Sequence, residues 1–174
     1  IIPYAPRDEQ FAKLAQDVAE LNKYYAVLNQ VAALTRPSVV HIEAEKRSED
    51  LDHRIPEGGV AFIEEAGSGV LALIGDQVFV LTNRHVITGA ELAGIRLKLA
   101  NGRELRPTQS WTDSATDVAV IAVEGDGMLP ARLGRSTLVR VGDAVMAFGS
   151  PFGLNHSVTH GIISAMGRRD LKLG

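Results

Sequence analysis

The sequence contains no cysteine among its 174 residues. This absence excludes disulfide bonds, thiolate metal sites and a cysteine nucleophile, but it fits reducing and oxidising compartments equally well. An excess of positive charge is also missing, because 18 lysines and arginines are outnumbered by 21 aspartates and glutamates, giving a net charge of -3. Since the chain has no strongly basic character, a nucleic-acid partner is not expected.

Long hydrophobic runs and cofactor motifs are absent as well. The longest uncharged apolar stretch, Gly67 to Gly75, is far shorter than the roughly 20 residues of a transmembrane helix, so no membrane span is predicted. The sequence has no G-x-x-x-x-G-K-S/T phosphate loop and no complete dinucleotide fingerprint. His156 and His160 would lie about 13 Å apart along a strand, too far to bind one metal ion. We therefore expect no cofactor and no metal.

The first 36 residues have a helical pattern. Pro6 and Asp8 form a helix start signal, and the apolar period ends before Pro37. A stripe that repeats every 3.5 residues fits a coiled seam between subunits, but it fits packing on the chain's own β-structure equally well. The residues of this stripe alternate steps of three and four: Phe11, Leu14, Val18, Leu21, Tyr25, Leu28 and Ala32.

After residue 36 the apolar period changes from helical to alternating, as in Val40, Ile42 and Ala44. A charged stretch between Glu45 and Gly59 is typical of an exposed loop, and Asn101-Gly102 is typical of a hairpin turn. The pattern favours a mainly β fold, an antiparallel barrel or sandwich, with the N-terminal amphipathic helix in front of it. The predicted strands are Val60 to Glu64, Gly69 to Ile74, Gln77 to Leu81, Ile95 to Leu99, Val118 to Val123, Ala144 to Phe148 and Ser157 to Ala165.

Two residues at strand ends are candidates for catalysis. His85 follows a buried-looking strand, and Asp117 directly precedes the apolar strand from Val118 to Val123. Either residue alone is weak evidence, since isolated histidines and turn aspartates are more often structural. Together they fit acyl-transfer chemistry, in which an imidazole accepts a proton from a nucleophile and a carboxylate fixes its tautomer.

Several segments in one order resemble the HtrA/Deg family of trypsin-like serine endopeptidases. They are RPSVVHIEA, GSGVL, TNRHVITGA, TDVAVIAV, LGRSTLVRVGDAVMAFGSPFGL and SVTHGIISAMGR. The resemblance implies a trypsin-like double β-barrel with the active site between the barrels, and it places His85 and Asp117 on the first barrel. We expect a helical segment at 1–36, the first barrel at 37–126 and a truncated second barrel at 127–174. The Gly and Pro content near residues 125–135 marks the boundary between the two β units.

The nucleophile of the family lies in a Gly-Asn-Ser-Gly-Gly segment, which is not present in this sequence. Ser68 and Ser150 are rejected as substitutes, because neither lies in a G-x-S-x-G elbow and the resemblance places both in strand and turn segments. We therefore expect the serine to lie outside this chain, which on its own should be inactive.

The resemblance implies a serine endopeptidase of protein quality control that cleaves unfolded or damaged proteins. It also implies a homo-oligomer, in particular a trimer formed through the segment before the first barrel, and a location in the periplasm or cell envelope. The alternative is a proteolytically inactive, chaperone-like or peptide-binding module on the same fold.

Overall fold

The computed structural model describes residues 4–48, 61–149 and 157–167. The chain divides into two compact units, Ile1–Leu34 and Thr35–Gly174. Helix α1, Tyr4–Thr35, makes up the described part of the first unit and ends one residue beyond it, and a single turn of 3-10 helix, Arg36–Ser38, follows the helix. The strands of the second unit are β1 Val39–Ser48, β2 Ala61–Ile74, β3 Gln77–Asn83, β4 Ala90–Leu99, β5 Glu104–Asp113, β6 Val118–Glu124, β7 Ala144–Gly149 and β8 Ser157–Ile162.

Six strands form a closed antiparallel barrel in the order β1-β2-β3-β6-β5-β4. The alternation predicted for β1 is confirmed, because Val40, Ile42 and Ala44 are all fully buried in its interior. The predicted turn between β4 and β5 is also present, with Gly102 at a φ of 83°, a value that glycine adopts without steric cost. The mainly β class and the N-terminal helix predicted from the sequence are therefore confirmed.

The strand boundaries differ from the predictions at several places. Strand β2 is continuous where two runs were predicted, and β4 begins five residues earlier than expected, at Ala90. Strand β5 was not among the predicted runs, because Pro107 and its polar neighbours hide the alternating pattern. The β5–β6 register shifts between Pro107 and Gln109, as expected where a proline lacks the N–H for a ladder bond.

Strands β7 and β8 form a separate two-stranded sheet, in which Ala144 is paired with Ile162. The segment before this hairpin contacts the barrel, since Ala131 N donates a hydrogen bond of 2.8 Å to Leu71 O. The boundaries predicted at 36/37 and 126/127 stay predictions. Residues 45–48 of the predicted charged loop belong instead to β1, and the rest of that stretch, up to Gly59, lies outside the described residues.

In α1 the apolar residues extend beyond the predicted stripe. Tyr24, Val27, Val31 and Leu34 form a second exposed row beside it, so the last three turns are apolar over most of their circumference. No helix in the described part of the chain combines the length and apolar character needed to cross a membrane.

Candidate active site

The β3–β6 pairing brings the two candidate catalytic residues together. Asn83, the last residue of β3, is paired with Val118, the first residue of β6. The residues just after β3 must therefore lie beside the residue just before β6. Accordingly, Arg84 N donates a hydrogen bond of 2.8 Å to Asp117 O.

His85 lies on a one-turn helix, α2, Arg84–Ile87, which was not predicted. Val86 and Ile87 anchor this turn by packing into the barrel core. Gly67 on β2 provides the space, because a Cβ atom there would stand 2.6 Å from Val86 Cγ1. The His85 side chain remains 61% exposed, so solvent and other groups can reach it.

Asp117 accepts hydrogen bonds from the ring and from the backbone of His85. Its Oδ2 lies 2.7 Å from His85 Nδ1, and its Oδ1 accepts the His85 backbone N–H at 2.9 Å. The Asn83 side-chain amide donates to Oδ2 at 3.2 Å. These contacts fix the imidazole relative to the carboxylate at two points.

The same hydrogen bonds determine the charge of Asp117. The His85 ring N–H lowers the pKa of Asp117 below its ordinary value, and the His85 backbone N–H lowers it further. Asp117 is therefore an anion at neutral pH. An anionic carboxylate beside Nδ1 favours the tautomer with the proton on Nδ1, which leaves the Nε2 lone pair free to accept a proton.

Asp113 shapes the turn that presents Asp117. Its Oδ1 accepts the Ala115 N–H at 3.0 Å and its Oδ2 accepts the Thr116 hydroxyl at 2.6 Å. Both bonds, the Thr116 hydroxyl first, lower the pKa of Asp113. Asp117 has a φ of 54°, and it is the one non-glycine residue in the described part of the chain with positive φ. Such a conformation persists where surrounding contacts hold it.

Sequence reasoning missed Asn83 and Asp113 as site residues. An aspartate followed two and three residues later by small or hydroxyl residues is the pattern of a side-chain-stabilised turn, and it was the available signal for Asp113. Asn83 offered no comparable local signal, because its role depends on the pairing of β3 with β6.

Three further histidines and serines, His41, Ser68 and His160, occupy other positions on the strands. His41 is buried in the barrel wall, with Nε2 3.1 Å from Glu43 Oε1. Ser68 lies inside β2, where its backbone carbonyl accepts the Thr82 hydroxyl at 2.9 Å. His160 lies on β8, opposite Met146. The remaining candidates, Ser150 and His156, fall outside the described residues.

Comparisons with known proteins identify related sequences and structures. The family described as "Trypsin-like peptidase domain" matches residues 67–173, more than half of the chain. A "Probable periplasmic serine endoprotease DegP-like" of Pseudomonas savastanoi pv. phaseolicola is 46% identical over 105 residues, which cover 60% of this chain and 21% of that protein. "Serine protease HTR4" of Rattus norvegicus is 35% identical over 155 residues, covering 88% of this chain and 30% of that protein. The chain thus spans less than a third of either relative.

A solved structure described as "HtrA-type protease AlgW with decapeptide" matches with a TM-score of 0.65 and 31% identity. The match covers 82% of this chain and 46% of that one. The trypsin-like region at 67–173 includes both His85 and Asp117. On the agreement of fold, family match and relatives, this chain belongs to the trypsin-like peptidase family and, within it, to the HtrA/Deg proteins.

Proposed function

We propose that the intact protein containing this chain is a serine endopeptidase in which His85 is the general base and Asp117 orients it. The observation that supports this most directly is the 2.7 Å contact between His85 Nδ1 and Asp117 Oδ2. An exposed imidazole, held by an anionic carboxylate on a rigid barrel, is the arrangement that serine proteolysis requires.

In the proposed reaction a serine hydroxyl approaches Nε2 of His85 and attacks the carbonyl carbon of the scissile peptide bond. His85 accepts the hydroxyl proton and then donates it to the leaving amine, while Asp117 stabilises the intermediate imidazolium. The 174 residues contain no Gly-Asn-Ser-Gly-Gly segment. We therefore propose that the serine and the oxyanion-hole N–H groups come from residues outside this sequence.

We propose that the substrates are unfolded or damaged proteins and that the protein acts in the periplasm or cell envelope. The name of the Pseudomonas relative describes a periplasmic endoprotease, and the matched AlgW structure is described with a decapeptide. An extended peptide is the form in which an unfolded protein offers its backbone to a protease cleft.

We also propose that the chain is organised as a helical assembly segment at 1–36, a first barrel at 37–126 and part of a second barrel at 127–174. The closed six-strand barrel and the separate β7–β8 sheet support this division. Phe11, Leu21 and Tyr25 on α1 are about half exposed, and such a stripe favours self-association. The HtrA/Deg resemblance implies that three copies assemble into a trimer.

Hydrolysis of unfolded casein by the intact protein and by His85→Ala tests the proposed function. The variant should lose activity by about 10³-fold or more, because the Ser-His-Asp groups act as one unit. His160→Ala, which removes an exposed histidine of β8, is the matched control and should cleave normally. If the parent binds casein without cleaving it, the chaperone-like alternative is correct. If His85→Ala cleaves as fast as the parent, the assignment of the base is wrong.

A further inference from the structure

Lys46 contacts the backbone of the candidate catalytic histidine. It lies on β1, and its side chain is only 15% exposed. Its ammonium group donates one hydrogen bond to the Glu65 carboxylate and another to the backbone carbonyl oxygen of His85. One lysine thus joins β1 and β2 of the barrel wall to α2.

Helix α2 needs such a contact because it is very short. Within this turn, Thr88 N donates to Arg84 O at 3.0 Å. A helix leaves its last carbonyl groups without partners inside the helix, and in a four-residue helix these include the His85 carbonyl. The Lys46 ammonium supplies the missing donor, and a charged donor forms a stronger hydrogen bond than a neutral one.

Glu65 restrains the position of the Lys46 ammonium group. A lysine side chain has a flexible four-carbon stem and loses considerable rotamer freedom when it is held in one place. Glu65 is paired with Ala44 in the β1–β2 ladder, two residues from Lys46 along β1. Its carboxylate therefore holds the ammonium group from a fixed point of the barrel, and the ammonium in turn holds His85 O.

The position of the imidazole depends on the His85 backbone. The ring is mostly exposed and is held through Nδ1 by Asp117. The backbone is held on one side by the bond from His85 N to Asp117 Oδ1, at 2.9 Å, and on the other by Lys46. Loss of either contact would let the ring shift relative to its carboxylate.

We propose that Lys46, held by Glu65, is a positioning residue that fixes the backbone of His85 and thereby aligns the imidazole for proton transfer. The proposal rests on the proposed function, since it assumes that His85 is the general base. Lys46 does not touch the reacting atoms and acts through His85.

The test compares Lys46→Met, Lys46→Arg, His85→Ala and the parent in the intact protease. Lys46→Met keeps the length of the stem but removes the donor, so kcat should fall about tenfold, as expected when catalytic groups are displaced by less than 1 Å. KM should stay within about twofold, because a positioning residue does not contact substrate. Lys46→Arg, which restores donors for both acceptors, should recover most of kcat. The low-field proton resonance of the Nδ1–H should also shift in Lys46→Met.

Arg106→Met is the matched control. It removes the ion pair with Glu124 between β5 and β6 without touching α2, and it should leave kcat and the Nδ1–H resonance unchanged. If Lys46→Met does not fold, Glu65→Ala provides a second test, with an expected loss of about threefold in kcat.

The experiment distinguishes failure of the role proposed for Lys46 from failure of the proposed function. If His85→Ala is inactive while a folded Lys46→Met retains the kcat of the parent, the proposed function stands and the role of Lys46 is refuted. An increase in KM without a fall in kcat in Lys46→Met would also refute the role of Lys46. If Lys46→Met does not fold, an unchanged kcat in Glu65→Ala would refute that role instead. If His85→Ala still cleaves casein, the proposed function itself fails.

Discussion

Replacement of Gly67 by alanine should displace the helical turn that presents His85. The Cβ atom of the alanine would lie 2.6 Å from Val86 Cγ1, 2.7 Å from Val86 Cγ2 and 3.3 Å from Val86 Cβ. Carbon atoms prefer separations of about 3.5–4.0 Å, so Val86 has to move by roughly 1 Å. Rotation about χ1 cannot fully relieve the clash. Two of the three staggered positions on Val86 Cβ face the added atom, so at least one of the two methyl groups stays close to it.

The expected cost follows from two opposing effects. Extra volume in a packed core costs about 1–3 kcal/mol. Replacing glycine by alanine returns about 0.4–1 kcal/mol, because the unfolded chain loses conformational freedom. The free energy of unfolding should therefore fall by about 1.3 kcal/mol, the difference between the midpoints of these two ranges. Since Val86 is bonded to His85, the imidazole should shift as well, and kcat of the intact protease should fall by roughly tenfold to hundredfold.

Urea denaturation and steady-state hydrolysis measure the two effects of Gly67→Ala. Gly161→Ala is the matched control, because it adds the same methyl group to a strand where no atom lies within 4 Å. Its free energy of unfolding should not fall and should rise by up to about 1 kcal/mol, because only the effect on the unfolded chain remains. In a double-mutant cycle, Gly67→Ala should cost less when Val86 is already alanine, by at least about 0.5 kcal/mol. Equal costs in both backgrounds, or a Gly67→Ala variant with the activity and stability of the parent, would show that the contact with Val86 does not position His85.

Three further results are expected. Asp117→Asn in the intact protease should leave the protein folded, with some loss of stability at pH 7, and lower kcat by up to about 10⁴, the effect measured for the same change in another serine protease; near-normal kcat in the folded variant would mean that Asp117 does not orient the base. The lowered pKa values of Asp113 and Asp117 mean that their ionised forms stabilise the fold above pH 4 or so, and this contribution is lost as pH falls through the folded pKa. Asp113→Asn should therefore be less stable at pH 7 and should lose less stability between pH 5 and pH 3 than the parent in urea titrations; parallel pH curves would contradict this. A Leu21→Asp/Leu28→Asp double variant should sediment as a monomer while the parent sediments as a trimer, because charges in an apolar seam are costly to desolvate; a monomeric parent would exclude the α1 seam.

Local pattern predicted most of the fold but not all of its boundaries. The alternation in β1 and the Asn101-Gly102 turn were visible because each depends on side chains a few residues apart. Strand β5 was invisible, since Trp111 and its polar neighbours are largely exposed and Pro107 interrupts the pattern. Its place in the sheet is determined by pairing with β4 and β6, which local sequence does not show.

The residue types and the order of the motifs can be read directly along the chain, and they support the family resemblance and the choice of His85 and Asp117 as candidates. The distance between these two residues depends on the folded barrel. They are separated by 31 residues along the chain, and only the β3–β6 pairing places His85 Nδ1 2.7 Å from Asp117 Oδ2. The supporting contacts of Asn83 and Lys46 depend on the same closure of the barrel. Side-chain chemistry is local information, whereas distances between strands arise from hydrogen bonds and packing across the whole barrel.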